Sequence, residues 1–126
     1  LASASFPTYP RTGHLETDVR AHLEQLRDAL QHGPLGAILL ALGERAAVDD
    51  GMRALRARLV EQGCAPLRSM LAEHGIPPAA VDDLVLELEG PVMTSALVHA
   101  RPASDALIAR LVERVAPLGA PPARQN

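Results

Sequence analysis

Three polar side chains at four-residue steps near the start of the chain have the spacing of a metal-binding helix face. His14, Asp18 and His22 would present two imidazoles and a carboxylate, which are ligand types that zinc accepts. At about 100° per residue, however, the two histidines diverge by about 80° around a helix. No fourth ligand accompanies them, so the sequence predicts no metal here and no cofactor.

Other reactive side chains each have two interpretations. His22 lies at the margin of an apolar helical stripe, where it either points into a cavity or sits half-exposed in water. Arg56 falls within another apolar stripe, where its guanidinium either faces an anionic ligand or pairs with an acid such as Glu44 or Asp49. Cys64 has no neighbouring base, which favours a structural thiol over a redox sensor.

Catalytic motifs are missing from the sequence. There is no Ser-His-Asp order, glycine-rich phosphate loop, HExxH or CxxC. The acids Asp82, Asp83, Glu87 and Glu89 resemble paired carboxylates, but we place them in the first turns of a helix, where the helix dipole favours negative charge. The sequence therefore predicts a protein that is not an enzyme.

Composition narrows the class of protein further. The 126 residues carry 12 basic and 15 acidic side chains, all the basic ones are arginine, and the net charge is -3. A nucleic-acid-binding surface normally shows a basic excess, so these residues are not expected to touch DNA. No apolar run reaches the roughly 18 residues of a membrane span, and the single cysteine fits a cytoplasmic location.

Apolar residues recur at helical spacing in five stretches separated by glycine and proline, which predicts an all-α domain. We expect an irregular lead-in over residues 1–13, a domain over residues 14–118 and a flexible tail over residues 119–126. Ser104 is the expected N-cap of the last helix, and Pro66 is expected to kink the third helix without ending it. The expected helices span residues 15–31, 35–48, 50–73, 79–99 and 105–117.

The fourth helix carries two apolar stripes rotated by roughly 120° to 140° from each other. A single small domain has difficulty covering both stripes and the wide apolar band of the fifth helix. We therefore expect the last two helices to pack on their equivalents in a second copy, as a dimeric four-helix bundle. The expected interface residues are Leu86, Met93, Leu97, Ile108, Leu111, Val112 and Val115.

Four segments in this order resemble the C-terminal regulatory domain of tetracycline-repressor-like (TetR-family) transcriptional regulators. They read PTYPRTGHLETDVRAHLEQL, GPLGAILLALGERA, MRALRARLVEQGCAPLRSML and LELEGPVMTSALVHARPASDALIARLVERV. The most specific part is the Leu88-Glu89-Gly90-Pro91-Val92 run within the penultimate helix. The resemblance spans nearly the whole chain, from Thr12 to Val115.

The resemblance implies a homodimer, an apolar effector pocket enclosed by the earlier helices, and a helix-turn-helix DNA-binding head upstream of Leu1. With few aromatic residues to stack on a flat ligand, a small apolar or amphipathic effector is expected. The alternative is a stand-alone all-α interaction module without ligand or DNA, and a small helical enzyme is a weaker one. The residues expected to contact the effector are His22, Leu26, Leu39, Arg56, Leu59, Met70 and Val92.

Overall fold

The computed structural model describes residues 11–33, 35–46 and 48–119. Within these ranges the chain forms five α-helices, a short 3-10 turn and no strand, which confirms the all-α prediction. The first ten lead-in residues and tail residues 120–126 lie outside the described ranges. The elements are α1 (Leu15–His32), α2 (Leu35–Ala46), α3 (Asp50–Glu73), α4 (Pro78–Leu97), α5 (Asp105–Val115) and the 3-10 turn (Ala116–Gly119).

Two helices begin at side-chain caps. The Asp49 carboxylate accepts hydrogen bonds from the backbone N–H groups of Gly51 and Met52, at 2.8 and 3.2 Å, and so starts α3. The preceding helix, α2, ends at Ala46, two residues earlier than the spacing predicts. At α5, the Ser104 hydroxyl accepts from the N–H of Leu107 at 3.1 Å, which confirms the predicted cap.

Prolines interrupt neither of the two long helices. Pro66 lies inside α3 and Pro91 inside α4, and both helices continue through them, as predicted for α3. The sharp reversal between α3 and α4 occurs at Gly75, whose φ of +84° is readily reached only without a β-carbon. The backbone N–H of Ile76 donates back to the carbonyl of Leu71 at 3.2 Å and closes this turn.

The core is built around α1, which packs against each of the other four helices. Its apolar stripe is buried as predicted: Leu15, Val19, Leu23, Leu26 and Leu30 are all in the core. Within the described residues, no helix is both long and apolar enough to cross a membrane.

Candidate functional site

A carboxylate lies inside the core, where α1, α3 and α4 meet. Glu89 on α4 is only 4% exposed, and its Oε2 lies 2.5 Å from Nε2 of His22 on α1, which is 6% exposed. Its other oxygen, Oε1, accepts a hydrogen bond from Sγ of Cys64 on α3 at 3.3 Å. Because one carboxylate joins three helices, a change at any of these side chains acts on the relative positions of all three.

The thiol of Cys64 is kept protonated in this polar cluster. Burial raises its pKa, and the adjacent charge and hydrogen bond of Glu89 raise it further, to about 12. A thiol with such a pKa is a poor nucleophile near neutral pH, because the reactive form is the thiolate. The structural interpretation of Cys64 is therefore favoured over a redox sensor.

The segment before α1 is tied to two helices. Oδ1 of the buried Asp18 accepts hydrogen bonds from the backbone N–H and the hydroxyl of Thr12, both at 2.9 Å. Burial alone would raise the pKa of Asp18, but these bonds, the Gly13 N–H and the charge of His74 together hold it below its ordinary value. Asp18 therefore binds Thr12, near the end of the lead-in, to α1.

Arg11 continues this anchoring on α3. Its guanidinium pairs with the carboxylate of Glu73 and donates a 3.4 Å hydrogen bond to the carbonyl of Pro66. The chain therefore enters the domain in contact with both α1 and α3. A shift of one helix against the other would be passed to the preceding residues through these contacts.

The structure places most of the predicted effector residues in the interior. His22, Leu26, Leu39, Leu59 and Met70 are all buried. Val92 is also buried, and it lines a cavity beside α1. These positions remain predictions as ligand contacts.

Arg56 is the exception, because its side chain is exposed and the expectation that it lies within the apolar stripe is wrong. The buried side of α3 is taken by Leu59, with Leu55 half-buried, and Arg56 lies about 100° beyond Leu55 around the helix. Asp49, one of the acids expected to pair with it, instead caps the start of α3.

The cavity next to Val92 has a volume of about 290 Å³ and is open to solvent on one side. It lies between the C-terminal halves of α1 and α4 and the connection from α4 to α5. Leu30, Val92 and Ala96 supply apolar surface, whereas Arg27 and Arg101 supply charge. We refer to it below as the α1–α4 cleft.

The residues predicted to form the dimer interface fall into two groups. On α5, Ile108, Leu111, Val112 and Val115 are buried in the core of the same chain, since α5 packs on α1. These four side chains are therefore already covered without a second copy.

The three predicted interface residues on α4 are more accessible. Leu86 is 69% exposed, and Met93 and Leu97 are half-buried at the edge of the core. Leu97 also approaches Gly36 of α2. Gly90 lies between Leu86 and Met93 along α4, and the position that a β-carbon would occupy on it faces open space. Because Leu86, Gly90, Met93 and Leu97 lie within about 60° of one another around α4, they form one surface, called here the α4 face.

Sequence reasoning missed the role of Glu89, which it placed with the acids in the first turns of the fourth helix, although α4 begins at Pro78 and Glu89 lies in its second half. The signal was present in the spacing, because Glu89 is in phase with the buried Val85 and Val92 on α4. His22 is similarly in phase with Val19 and Leu26 on α1. An acid on one apolar stripe and a histidine on another are a recognisable signature of a buried pair.

Across the described ranges, His, Cys, Asp and Glu side chains nowhere form a group of three that could hold a metal ion. Asp18 is engaged by Thr12 and His22 by Glu89, so the two residues make different local contacts.

Four helices packed around α1, with a polar cluster inside and an apolar face on the penultimate helix, define an all-α helical domain. Residues 9–115 match the family described as "Tetracyclin repressor-like, C-terminal domain", and the chain belongs to that family. Such domains are parts of transcription regulators rather than enzymes. Neither a curated protein nor a solved structure gives a significant match.

Proposed function

We propose that this chain is the effector-binding and dimerisation domain of a one-component transcriptional repressor without catalytic activity. The family supports a regulatory role, and the observation that carries the dimer is the exposed α4 face. Leu86 is a large apolar side chain left in water on a helix whose other large apolar side chains are buried or half-buried. A second copy packed on this face would remove Leu86 from water.

Gly90 supports close contact between two copies of α4. No heavy atom outside its immediate neighbourhood lies within 4 Å of the position that a β-carbon would occupy. The backbone of a partner helix can therefore approach there, with Leu86 and Met93 flanking the contact. The dimer we propose depends on the α4 face, and Ile108 and Val115 support it from within the protomer.

The chain mass of 13.3 kDa gives a direct test by light scattering after gel filtration. We expect about twice that mass at micromolar concentration. The Leu86→Glu change should raise the dimer dissociation constant at least about hundredfold, because it places two unpaired carboxylates in an apolar contact. Val48→Glu is the matched control, since Val48 is 88% exposed and lies outside α4. A monomeric wild type, or a Leu86→Glu dimer as tight as the control, would refute this interface.

The proposal includes a DNA-binding head joined to the N-terminal side of this domain, because the family is defined as the C-terminal domain of repressor-like proteins. The acidic composition supports DNA contact through such a head and not through these residues. The proposal includes a cytoplasmic location, where such a regulator has access to DNA. The reading frame upstream of the Leu1 codon should encode a helix-turn-helix, and a start codon at that point would contradict the proposal.

The effector we propose is small and apolar or amphipathic. Val92 is the predicted contact that also lines the α1–α4 cleft, so the cleft is the favoured entry for a ligand. Occupancy of the domain would favour one arrangement of α1, α3 and α4 over another. The contacts of Thr12 and Arg11 with α1 and α3 would pass that preference to the preceding segment.

A further inference from the structure

We propose that the α1–α4 cleft binds a small amphipathic anion, with a carboxylate as the charged group and an aliphatic chain as the apolar part. The apolar part would lie on Leu30, Val92 and Ala96, and the carboxylate would lie between Arg27 and Arg101. Identification of this ligand as the effector rests on the proposed function, whereas the binding site itself does not.

The apolar side of the cleft comes from side chains that are fixed by the core. Val92 is fully buried and Leu30 nearly so, and both belong to the main apolar cluster. Ala96 on α4 is a small residue where a longer one would fill the space. A cavity of about 290 Å³ between these residues suits a ligand of roughly ten heavy atoms.

The positive charge is arranged differently at the two arginines. Arg27 is held in place: its guanidinium donates to the carbonyl of Ala103 at 3.2 Å and to Asp105 at 2.7 Å. Arg101 lines the same cleft, and among the described residues its guanidinium has no hydrogen-bond or ion-pair partner. Arg101 is therefore the side chain whose donors are available to an anion, and Arg27 lines the same cleft as an ordered guanidinium already paired with Asp105.

The backbone holds Arg101 at the edge of the cleft. Ala100 has a φ of +56°, in the left-handed region that alanine rarely adopts, and it lines the cleft. The N–H of Arg101 donates to the carbonyl of Ser95 at 3.0 Å, and Pro102 follows directly. A strained backbone conformation persists only where the surrounding contacts hold it in place, and such residues are common at ligand sites.

Octanoate is the probe that tests the site, with 1-octanol as its neutral counterpart. By titration calorimetry on the 126-residue chain, we expect saturable binding of one octanoate per chain and at least about tenfold weaker binding of octanol. Arg101→Gln should weaken octanoate binding about tenfold or more and leave octanol binding unchanged. Arg110→Gln is the matched control, because Arg110 is an exposed arginine on α5 that does not line the cleft.

A second variant tests the location by shape instead of charge. Ala96→Leu fills the apolar side and should abolish binding of both probes, with the helical circular dichroism signal as the check on folding. Equal binding of octanoate and octanol, equal effects of Arg101→Gln and Arg110→Gln, or no saturable octanoate binding would each overturn the site. The mass measurement on the same samples separates the two proposals. A monomer that binds octanoate refutes the dimer and supports the binding site. A dimer that does not bind octanoate supports the dimer and refutes the binding site.

Discussion

The buried contact between His22 and Glu89 should appear as a strong energetic coupling between α1 and α4. Replacing Glu89 with leucine leaves Nε2 of His22 facing an apolar side chain inside the core. Replacing His22 with leucine leaves a buried carboxylate whose remaining contact in the cluster is the weak thiol donor of Cys64. Leucine is close in volume to both side chains, so the loss of polar contacts dominates over a cavity.

The expected magnitudes follow from the burial of both partners. Removing one side chain of this buried contact leaves the other without its polar partner; for ion pairs such a loss costs about 3–5 kcal/mol, whereas replacing both partners by apolar side chains is close to neutral. We expect His22→Leu and Glu89→Leu each to lower the free energy of unfolding by about 3–5 kcal/mol. The double variant should lose less than either single one, which corresponds to a coupling energy of at least about 3 kcal/mol.

Urea unfolding followed by circular dichroism measures the cycle, at one fixed protein concentration because association adds to apparent stability. Asp82→Ala is the control, since Asp82 is an exposed carboxylate on the same helix that pairs with Arg68. It should cost under about 1 kcal/mol. If the double variant loses the sum of the two single losses, the two side chains do not stabilise the fold as a pair and this reasoning fails.

Three further predictions concern single residues. Burial alone would raise the pKa of Asp18, but the hydrogen bonds from Thr12 hold this pKa below the ordinary value of 3.8. The ionised form of Asp18 therefore stabilises the fold above pH 3.8, and this stabilisation is lost as the pH falls through the folded-state pKa. Asp18→Asn should therefore flatten the acid side of a plot of Tm against pH, and a plot parallel to that of the wild type would contradict this. With a pKa of about 12, Cys64 should react with iodoacetamide at pH 8 at least about a hundredfold more slowly than a free thiol, as followed by mass spectrometry. The Glu89→Gln change should speed this reaction. A wild-type rate like that of glutathione would count against the cluster. Leu111→Glu should unfold the protein instead of only separating a dimer, because Leu111 is buried in its own chain, and a folded monomer by circular dichroism and light scattering would show otherwise.

Local patterns in the sequence predicted the fold well. The regular spacing from Leu15 to Leu30 fixes which side of α1 is buried, and Ser104 marks the start of α5 by its capping chemistry. Both features depend only on residues close together in the chain. The bounds of the helices therefore differ by at most about two residues from the expected ones.

The candidate site was harder to predict, because it depends on which helices meet. An apolar band on α5 shows that Ile108 and Val115 are buried, but it does not show whether α1 or a second copy covers them. The same limit applies to Glu89, whose burial follows from the arrangement of α1 and α3 around α4. Arg27 and Arg101 lie 74 positions apart in the sequence, and only the tertiary fold brings them to one cleft.

The central position of α1 has a consequence for how the domain opens. Because α1 packs against the four other helices, its amide hydrogens can exchange with solvent only when most of the tertiary structure has come apart. The helix α2 packs mainly on α3, so its amides can exchange through a smaller and more frequent opening. The amides of α1, the helix that carries His22, should therefore exchange slowly. The peripheral helix α2 can open locally while the amides of α1 stay protected.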